Sequence, residues 1–461
     1  MLTQSLVGEA IGMAMRSEHL PAPALAELQE RKWRELAHYA AMHSSFYRRL
    51  YQSIDPARAA LADLPSVTKT QVQAAFDEVV TDSRARLDGV QEFCRAGPGG
   101  APWHLGAFAV MMSSGTSGRR GHYLMDGPAL ADAIAQGFRQ SNRAPPGSAP
   151  EPQRIAAVML VEPFDAAGLL MRLIPESLGP KELIDIRKDF DAVVDRLNAF
   201  QPTMLSSFPY MLRMLSAAAG DGRLRIQPRR ITSSGDVLTA SDRAGVRRAL
   251  GVDPHDYYCS TEAPYIAWEC DAHDGLHVNA DYVLVESVDS QGRPVPTGRL
   301  GDKLLLTNLS NRLMPLIRYE MSDQVEFLDG DCRCGCRLPR IRKVAGRVEH
   351  ILSLPNAAGG RVALIPEHID EYVGGLSGLA NYQVIQEAPS RLTVNLIAVG
   401  GVAAGKVEAL VRVGLETCFR RYGVAPGVSL EFHEVARLEP IRAGSNKVCH
   451  YWNRSRAEEH D

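Results

Sequence analysis

A chain of 461 residues is too long for one small core and implies two to four domains. Hydrophobic residues at 45% and charged residues at 23% fit a globular protein, and a formal net charge of −3 removes any bulk attraction to nucleic acid or to an acidic membrane. The stretch from Met1 to Arg16 lacks a charged segment ahead of an apolar one, and no apolar run reaches the ~18 residues of a membrane helix. A cytoplasmic protein with no nucleic-acid or membrane partner is therefore expected. The eight cysteines are then free thiols or metal ligands rather than a disulfide framework.

In chain order, Glu27–Tyr51 has the apolar and aromatic spacing of a helix. Leu64 to Lys69 gives a turn and an N-cap for a second helix. Strand-like runs follow at Phe108–Met112, Ile155–Val161, Thr203–Leu205 and Arg230–Thr232. Helix-like stretches at Pro128–Arg139, Phe190–Ala199 and Tyr210–Ala219 lie between them. That alternation predicts an α/β region with a largely parallel sheet. After Gly275 the pattern turns β-rich, with strands expected at His277–Val285, Gly292–Pro296 and Lys303–Thr307. A smaller α+β unit is expected beyond Gly346, from strands at Tyr382–Gln386, Arg391–Ala398 and Ser429–Glu434 and a helix at Val407–Tyr422. The linker is placed at Arg342–Leu352. The expected domains are a large one at 1–345 and a small one at 346–461.

Three stretches carry chemistry. In the first, an apolar run ends in Ser113-Ser114-Gly115-Thr116-Ser117-Gly118-Arg119-Arg120. Small and hydroxyl residues let backbone N–H groups approach phosphate oxygens while the arginines balance charge. It is not a G-x-x-x-x-G-K-[ST] loop. In the second, Tyr257-Tyr258-Cys259-Ser260-Thr261-Glu262, an aromatic is followed by hydroxyl and carboxylate groups, so one could stack on a base and the other hold Mg²⁺. In the third, Leu316-Ile317-Arg318-Tyr319 leads to Asp323, a carboxylate able to take both ribose hydroxyls.

In this order the stretches resemble the adenylate-forming superfamily, in the branch of phenylacetate–coenzyme A ligase-like proteins. The resemblance runs from about Trp33 to Lys447. Ser234-Gly235-Asp236 is similar to the family's adenine-side loop and Tyr258 to Glu262 to its Tyr-Gly-x-Thr-Glu motif. Arg318-Tyr319 with Asp323 is similar to its ribose motif, and Gly346-Arg347-Val348-Glu349-His350 to its Gly-Arg-x-Asp-Asp hinge.

The resemblance implies a large N-terminal AMP-binding domain and a small mobile C-terminal one. It implies ATP-dependent activation of a carboxylic acid as acyl-AMP, then acyl transfer to coenzyme A. Ser113 to Arg119 would close on the β- and γ-phosphates. Gly235, Asp236 and Tyr258 would hold adenine, Thr261 would touch the α-phosphate, and Glu262 would bind Mg²⁺. Asp323 would hold the ribose, with Arg347 beside the nucleotide and Glu349 as the hinge. Lys447 would bridge the attacking carboxylate and the α-phosphate. The sequence departs from the family at Cys259, where glycine is usual, at Asp236, where glutamate is usual, and at Arg119 or Arg120, which replaces the usual lysine. These departures leave open transfer to an amine, a carrier-protein thiol or a cofactor hydroxyl, and an inactive nucleotide-binding scaffold. A homodimer is common in the resembled branch.

Soft thiolates with an imidazole suit tetrahedral Zn²⁺. Cys270, His277, Cys332 and Cys334 are the expected ligands, with Cys336 as a substitute. Four protein ligands make that site structural. The resemblance places the acyl group against Phe208, Pro209, Ser234 and Gly235, with Ala263-Pro264-Tyr265 lining the far wall, and Phe208 and Tyr265 would suit an aromatic or other flat acid.

Overall fold

The structure, a computed structural model, describes residues 2–97, 103–113, 120–141, 153–174, 179–347, 350–441 and 448–454. Its centre is a nine-stranded sheet. From one edge the strands are Asp323–Leu328, Arg340–Arg347, Leu276–Val278, Ala267–Glu269, His255–Tyr258, Arg230–Ser234, Met204–Ser207, Ile155–Met159 and Lys181–Asp185. The five strands from Lys181–Asp185 to His255–Tyr258 pair in parallel. From Ala267–Glu269 onward the pairing is antiparallel. Every residue of Ile155–Met159 is buried, as an unbroken apolar run requires when helices cover both faces of a parallel strand.

Three of the crossovers run through helices Phe190–Phe200, Pro209–Gly220 and Ala240–Leu250. Local chemistry starts each one. Asp189 accepts the N–H groups of Asp191 and Ala192. Pro209 stands in the first turn of its helix, where a missing N–H costs nothing. Thr239 and Asp242 form a reciprocal capping box. Three of the stretches singled out in the sequence begin where parallel strands end: Phe208 after Met204–Ser207, Gly235 after Arg230–Ser234, and Cys259 after His255–Tyr258. Crevices outside the carboxyl ends of parallel strands are where α/β sheets bind ligands.

A second core joins the N-terminal helices to the Gly127–Ser141 helix and to two three-stranded antiparallel sheets. A third is built only from residues between Leu352 and Tyr451. There a four-stranded sheet in the order Ser429–Glu434, Arg391–Ala398, Leu379–Ala388, Tyr451–Asn453 carries helices Pro366–Val373 and Ala404–Tyr422.

Four sequence expectations change. The helix expected over 27–51 is two, Ala22–His43 and Ser45–Leu50, because Ser44 turns extended and its hydroxyl caps the second at the Tyr47 N–H. The strand expected over 277–285 breaks after Val278. There the buried Arg139 binds the Asn279 and Asp281 side chains and holds that segment in a turn. Gly292–Pro296 contributes one isolated bridge, Val288 to Pro294, and no strand. The linker expected from Arg342 is instead the long strand Arg340–Arg347 of the central sheet, so the chain stays in the sheet up to 347.

Candidate active site

A cavity of about 270 Å³ opens at the carboxyl ends of the parallel strands. Gly235, Asp236, Tyr258, Thr261 and Asp323 line it together, and so do Phe208 and Ser234. Gly235 has φ +81°, and a Cβ there would come within 2.7 Å of the Phe208 ring, so both backbone and packing demand glycine. The Asp236 carboxylate accepts the Val237 N–H at 2.9 Å. Asp323 opens the strand that pairs with Arg347 and is itself buried.

The turn after Tyr258 is closed by Ser260, whose hydroxyl accepts the Ala263 N–H at 3.1 Å. Glu262 is held from below: its Oε1 accepts the Tyr123 hydroxyl at 2.8 Å and the Tyr319 hydroxyl at 3.3 Å, and the two hydroxyls are 2.9 Å apart. Burial and the Glu262 charge push the Tyr123 phenol well above its ordinary range, so it stays a hydrogen-bond donor to that carboxylate.

Ser113 lies outside this cavity. It lines an adjoining one of about 530 Å³ with Arg95, Arg120, His122 and Glu162. The stem of its loop is closed by two bonds between Ser113 and Gly121, at 2.9 and 2.8 Å. Ser114, Gly115, Thr116, Ser117, Gly118, Arg119, Glu349 and Lys447 lie outside the described residues, as does the Arg347 side chain. Pro209 and Ala263 do not line the cavity. Pro209 is buried in the first turn of its helix, and the Ala263 carbonyl accepts the Ser260 N–H.

Pro264 and Tyr265 line the cavity as the sequence suggested, but the sequence did not single out the helix beside them. Ile134, Gly137 and Phe138 of the Gly127–Ser141 helix line the cavity beside Tyr257 and Tyr265, and the Tyr257 hydroxyl donates to the Gly137 carbonyl at 3.2 Å. The Tyr265 ring lies where a Gly137 Cβ would come within 2.8 Å of it. A glycine in mid-helix was the available signal. Two polar groups also line this apolar chamber: Asp256, whose carboxyl burial pushes up to about 8, and Cys259, whose thiol burial pushes up. His350 also lines the cavity, 4.0 Å from Asp236.

Away from the cavity, Cys270, His277, Cys332 and Cys334 bring one ligand atom each within 4.8 Å of the others. The Cys270 and Cys332 sulfurs are 3.6 Å apart, and Cys334 Sγ is 3.3 Å from His277 Nε2. Bonds of about 2.3 Å in a tetrahedron put sulfurs roughly 3.8 Å apart, so this donor set fits zinc. His277 Nδ1 is 3.3 Å from the Leu338 carbonyl, which orients Nε2 to the cluster. Gly275 has φ +81° and no room for a Cβ beside the Ile341 carbonyl, which lets the chain turn into the strand that carries His277. Cys336 is buried outside the four, and its N–H donates to Cys334 Sγ.

No protein-family model matches the chain. It is 26% identical over 389 residues to a phenylacetate–coenzyme A ligase of Thermus thermophilus, covering 77% of this chain and 79% of that protein. In fold it is similar to a 2-hydroxyisobutyryl-CoA ligase in its postadenylation state, with TM-score 0.73 and 17% identity, covering 96% of this chain and 92% of the other. The same ligase in its thioesterification state gives TM-score 0.57 at 17% identity, over 93% and 90% of the two chains.

Proposed function

We propose, from the premise that this chain belongs to the phenylacetate–coenzyme A ligase-like branch of the adenylate-forming enzymes, that it activates a carboxylic acid with ATP and passes the acyl group to coenzyme A. One observation carries the reading. A single cavity is lined both by polar groups, at Asp236, Thr261 and Asp323, and by aromatic rings, at Phe208, Tyr257, Tyr258 and Tyr265. A nucleotide and a flat organic acid bound there would meet.

In the first half-reaction a carboxylate oxygen of the acid attacks the α-phosphorus and pyrophosphate leaves with the electron pair of the broken P–O bond. Tyr258 would stack on the adenine, Asp323 would take the ribose hydroxyls, and Thr261 would donate toward the α-phosphate. Glu262 is the residue to hold a magnesium ion: its Oε1 is fixed by two tyrosine hydroxyls, as a single orienting carboxylate for a phosphate-bound ion needs. The ion, when bound, supplies positive charge against the phosphate oxygens. Ser113 to Arg119, with Arg120, would receive the β- and γ-phosphates, and Lys447 would bridge carboxylate and α-phosphate. In the second half-reaction a thiol attacks the acyl carbon and AMP leaves.

Residues 1–345 are the large unit in this reading and 346–461 the small one, turning about Glu349 between half-reactions. The separate core between Leu352 and Tyr451 supports it. The aromatic walls favour an aryl or arylalkyl acid. Zinc at Cys270, His277, Cys332 and Cys334 would be structural, since four protein ligands leave no open position. Among the described residues no helix is long and apolar enough to cross a membrane.

The test is ATP–pyrophosphate exchange over a panel of aryl and aliphatic acids, followed by mass spectrometry of products with and without coenzyme A. Glu262→Gln should lower exchange by roughly a hundredfold or more. Exchange with no acid, or Glu262→Gln exchanging at the wild-type rate, refutes the reading. An adenylate that forms but yields no thioester moves the acceptor to an amine or a carrier protein.

A further inference from the structure

The unit built on residues 352–453 meets the parallel-sheet layer along a polar seam. Helices Pro209–Gly220 and Ala240–Leu250 lie on one side, and helix Pro366–Val373 with strand Leu379–Ala388 on the other. Arg213 is at its centre with only 11% of its side chain exposed. Its guanidinium bonds Asp242 Oδ1 at 2.6 and 2.8 Å, reaches Asp370 Oδ1 at 3.3 Å, and lies over the Tyr382 ring at 4.9 Å. Asp242 is fixed for this by its own helix, because its Oδ2 caps Thr239.

Asp370 comes from the opposite unit and is almost fully enclosed. Its Oδ1 also accepts the Tyr382 hydroxyl at 2.8 Å, and its Oδ2 accepts the Ser241 hydroxyl at 2.5 Å. Arg213 is already neutralised by Asp242 on its own side. Asp370 is thus a second carboxylate brought to one guanidinium, and its bonds to Ser241 and Arg213 exist only while the units are docked. The groups it would leave behind are an ion pair and a hydroxyl, which water can satisfy. An apolar seam would resist opening more strongly.

The seam is coupled to the cavity through the Pro209–Gly220 helix. Phe208, at the N-cap of that helix, lines the cavity, and its ring stacks 6.3 Å from Tyr210. His450, in the segment that follows residue 447, meets Tyr210 edge-on at 6.2 Å, and the Asn381 amide donates to the Tyr210 carbonyl at 3.3 Å. Arg213 is one turn further along the same helix.

We infer that Asp370 is a positioning residue for the adenylate-forming half-reaction: with Arg213, Asp242 and Ser241 it latches the C-terminal unit in the orientation that sets His450 against Tyr210, two residues from the cavity-lining Phe208. The inference rests on the function proposed above and adds which contact selects the adenylating orientation. On this inference the latch opens when the unit turns for thiol transfer.

Two variants test it in the full chain. Asp370→Asn removes the charge and keeps the shape. Gly374→Ala, at the end of the Asp370 helix, adds a Cβ that would come 2.1 Å from Asp370 Oδ1 and 2.2 Å from Ser241 Oγ, wedging the seam by bulk rather than by loss of charge. Each half-reaction is read separately: pyrophosphate exchange for the first, and thioester formation from synthetic acyl-adenylate plus coenzyme A for the second. Both variants should lose roughly ten- to a hundredfold in exchange, the size of one charge-assisted hydrogen bond. Both should keep thioester formation within about twofold, while amide hydrogen exchange rises in the Pro366–Val373 helix. Equal losses in both half-reactions, or no loss in exchange, overturn the inference, because a merely structural residue would not divide the two. Wild-type protein that exchanges pyrophosphate with no acid refutes the function instead. The amide-exchange result then decides the latch, with unchanged protection refuting it.

Discussion

Replacing His450 by glutamine should flatten the acid side of the stability profile, and the structure sets the size of the effect. The ring is buried, and its Nε2 lies 2.9 Å from the Asn381 side-chain oxygen, a bond that requires Nε2 to carry the proton of the neutral ring. Burial holds its pKa down to about 4 from an ordinary 6.5, and the Arg213 charge adds to this against the opposing pull of Asp236 and Asp370. The charge of His350 lowers it further. The unfolded chain therefore takes up this proton near 6.5 and the folded protein only near 4. The stability involved is complete above 6.5 and is lost as pH falls through 4. At about 1.4 kcal/mol per tenfold change in proton affinity the whole difference is about 3 kcal/mol, of which about 2 kcal/mol is gone by pH 5. Glutamine keeps a donor for Asn381 and cannot titrate. Urea unfolding followed by the buried Trp452 at pH 7.5 and pH 5 should show wild type losing about 2 kcal/mol more than His450→Gln over that interval. Equal losses in the two proteins would refute the neutral buried ring.

Gly235→Ala should destabilise by about 1–2 kcal/mol from the left-handed backbone alone, and by more from the contact with Phe208. Its larger effect should be on pyrophosphate exchange, measured as a raised KM for the acid. An alanine enzyme with unchanged acid KM would place the acyl group elsewhere. Metal analysis of the purified protein should give one zinc per chain, and His277→Ala should lower both zinc content and stability, the latter by roughly 4 kcal/mol or more. Protein free of zinc with an unaltered thermal midpoint would refute the tetrahedral site.

Much of the site was legible in the sequence because its chemistry lies in short contiguous stretches. Gly235 and Asp236, Tyr258 to Glu262, and Asp323 each sit in a local pattern whose residue types announce a polar ligand, and all but Glu262 line one cavity. The Cys270, His277, Cys332 and Cys334 set was equally legible, since thiolates and imidazoles in one chain have few other uses together. The alternation of strand and helix predicted a parallel sheet, and the sheet is there because an apolar run such as Ile155–Met159 can be satisfied only between two covering layers.

What required the tertiary structure was everything that depends on two distant segments meeting. The turn at Asn279–Tyr282 follows from a buried arginine on another helix, Arg139, so no local propensity could place the strand break. The helix that joins Pro264 and Tyr265 in lining the cavity contributes Gly137 and Phe138, whose helical period looks like ordinary core packing. The support beneath Glu262 comes from Tyr123 and Tyr319, which lie 139 and 57 residues from it along the chain. Arg213, Asp242 and Asp370 read separately as charges on helix surfaces, and only docking of the C-terminal unit turns them into one buried cluster. Local sequence determines which groups a segment offers and which backbone shape it prefers. Burial, which sets the energy of every charge and hydroxyl in this protein, is decided by what packs over them.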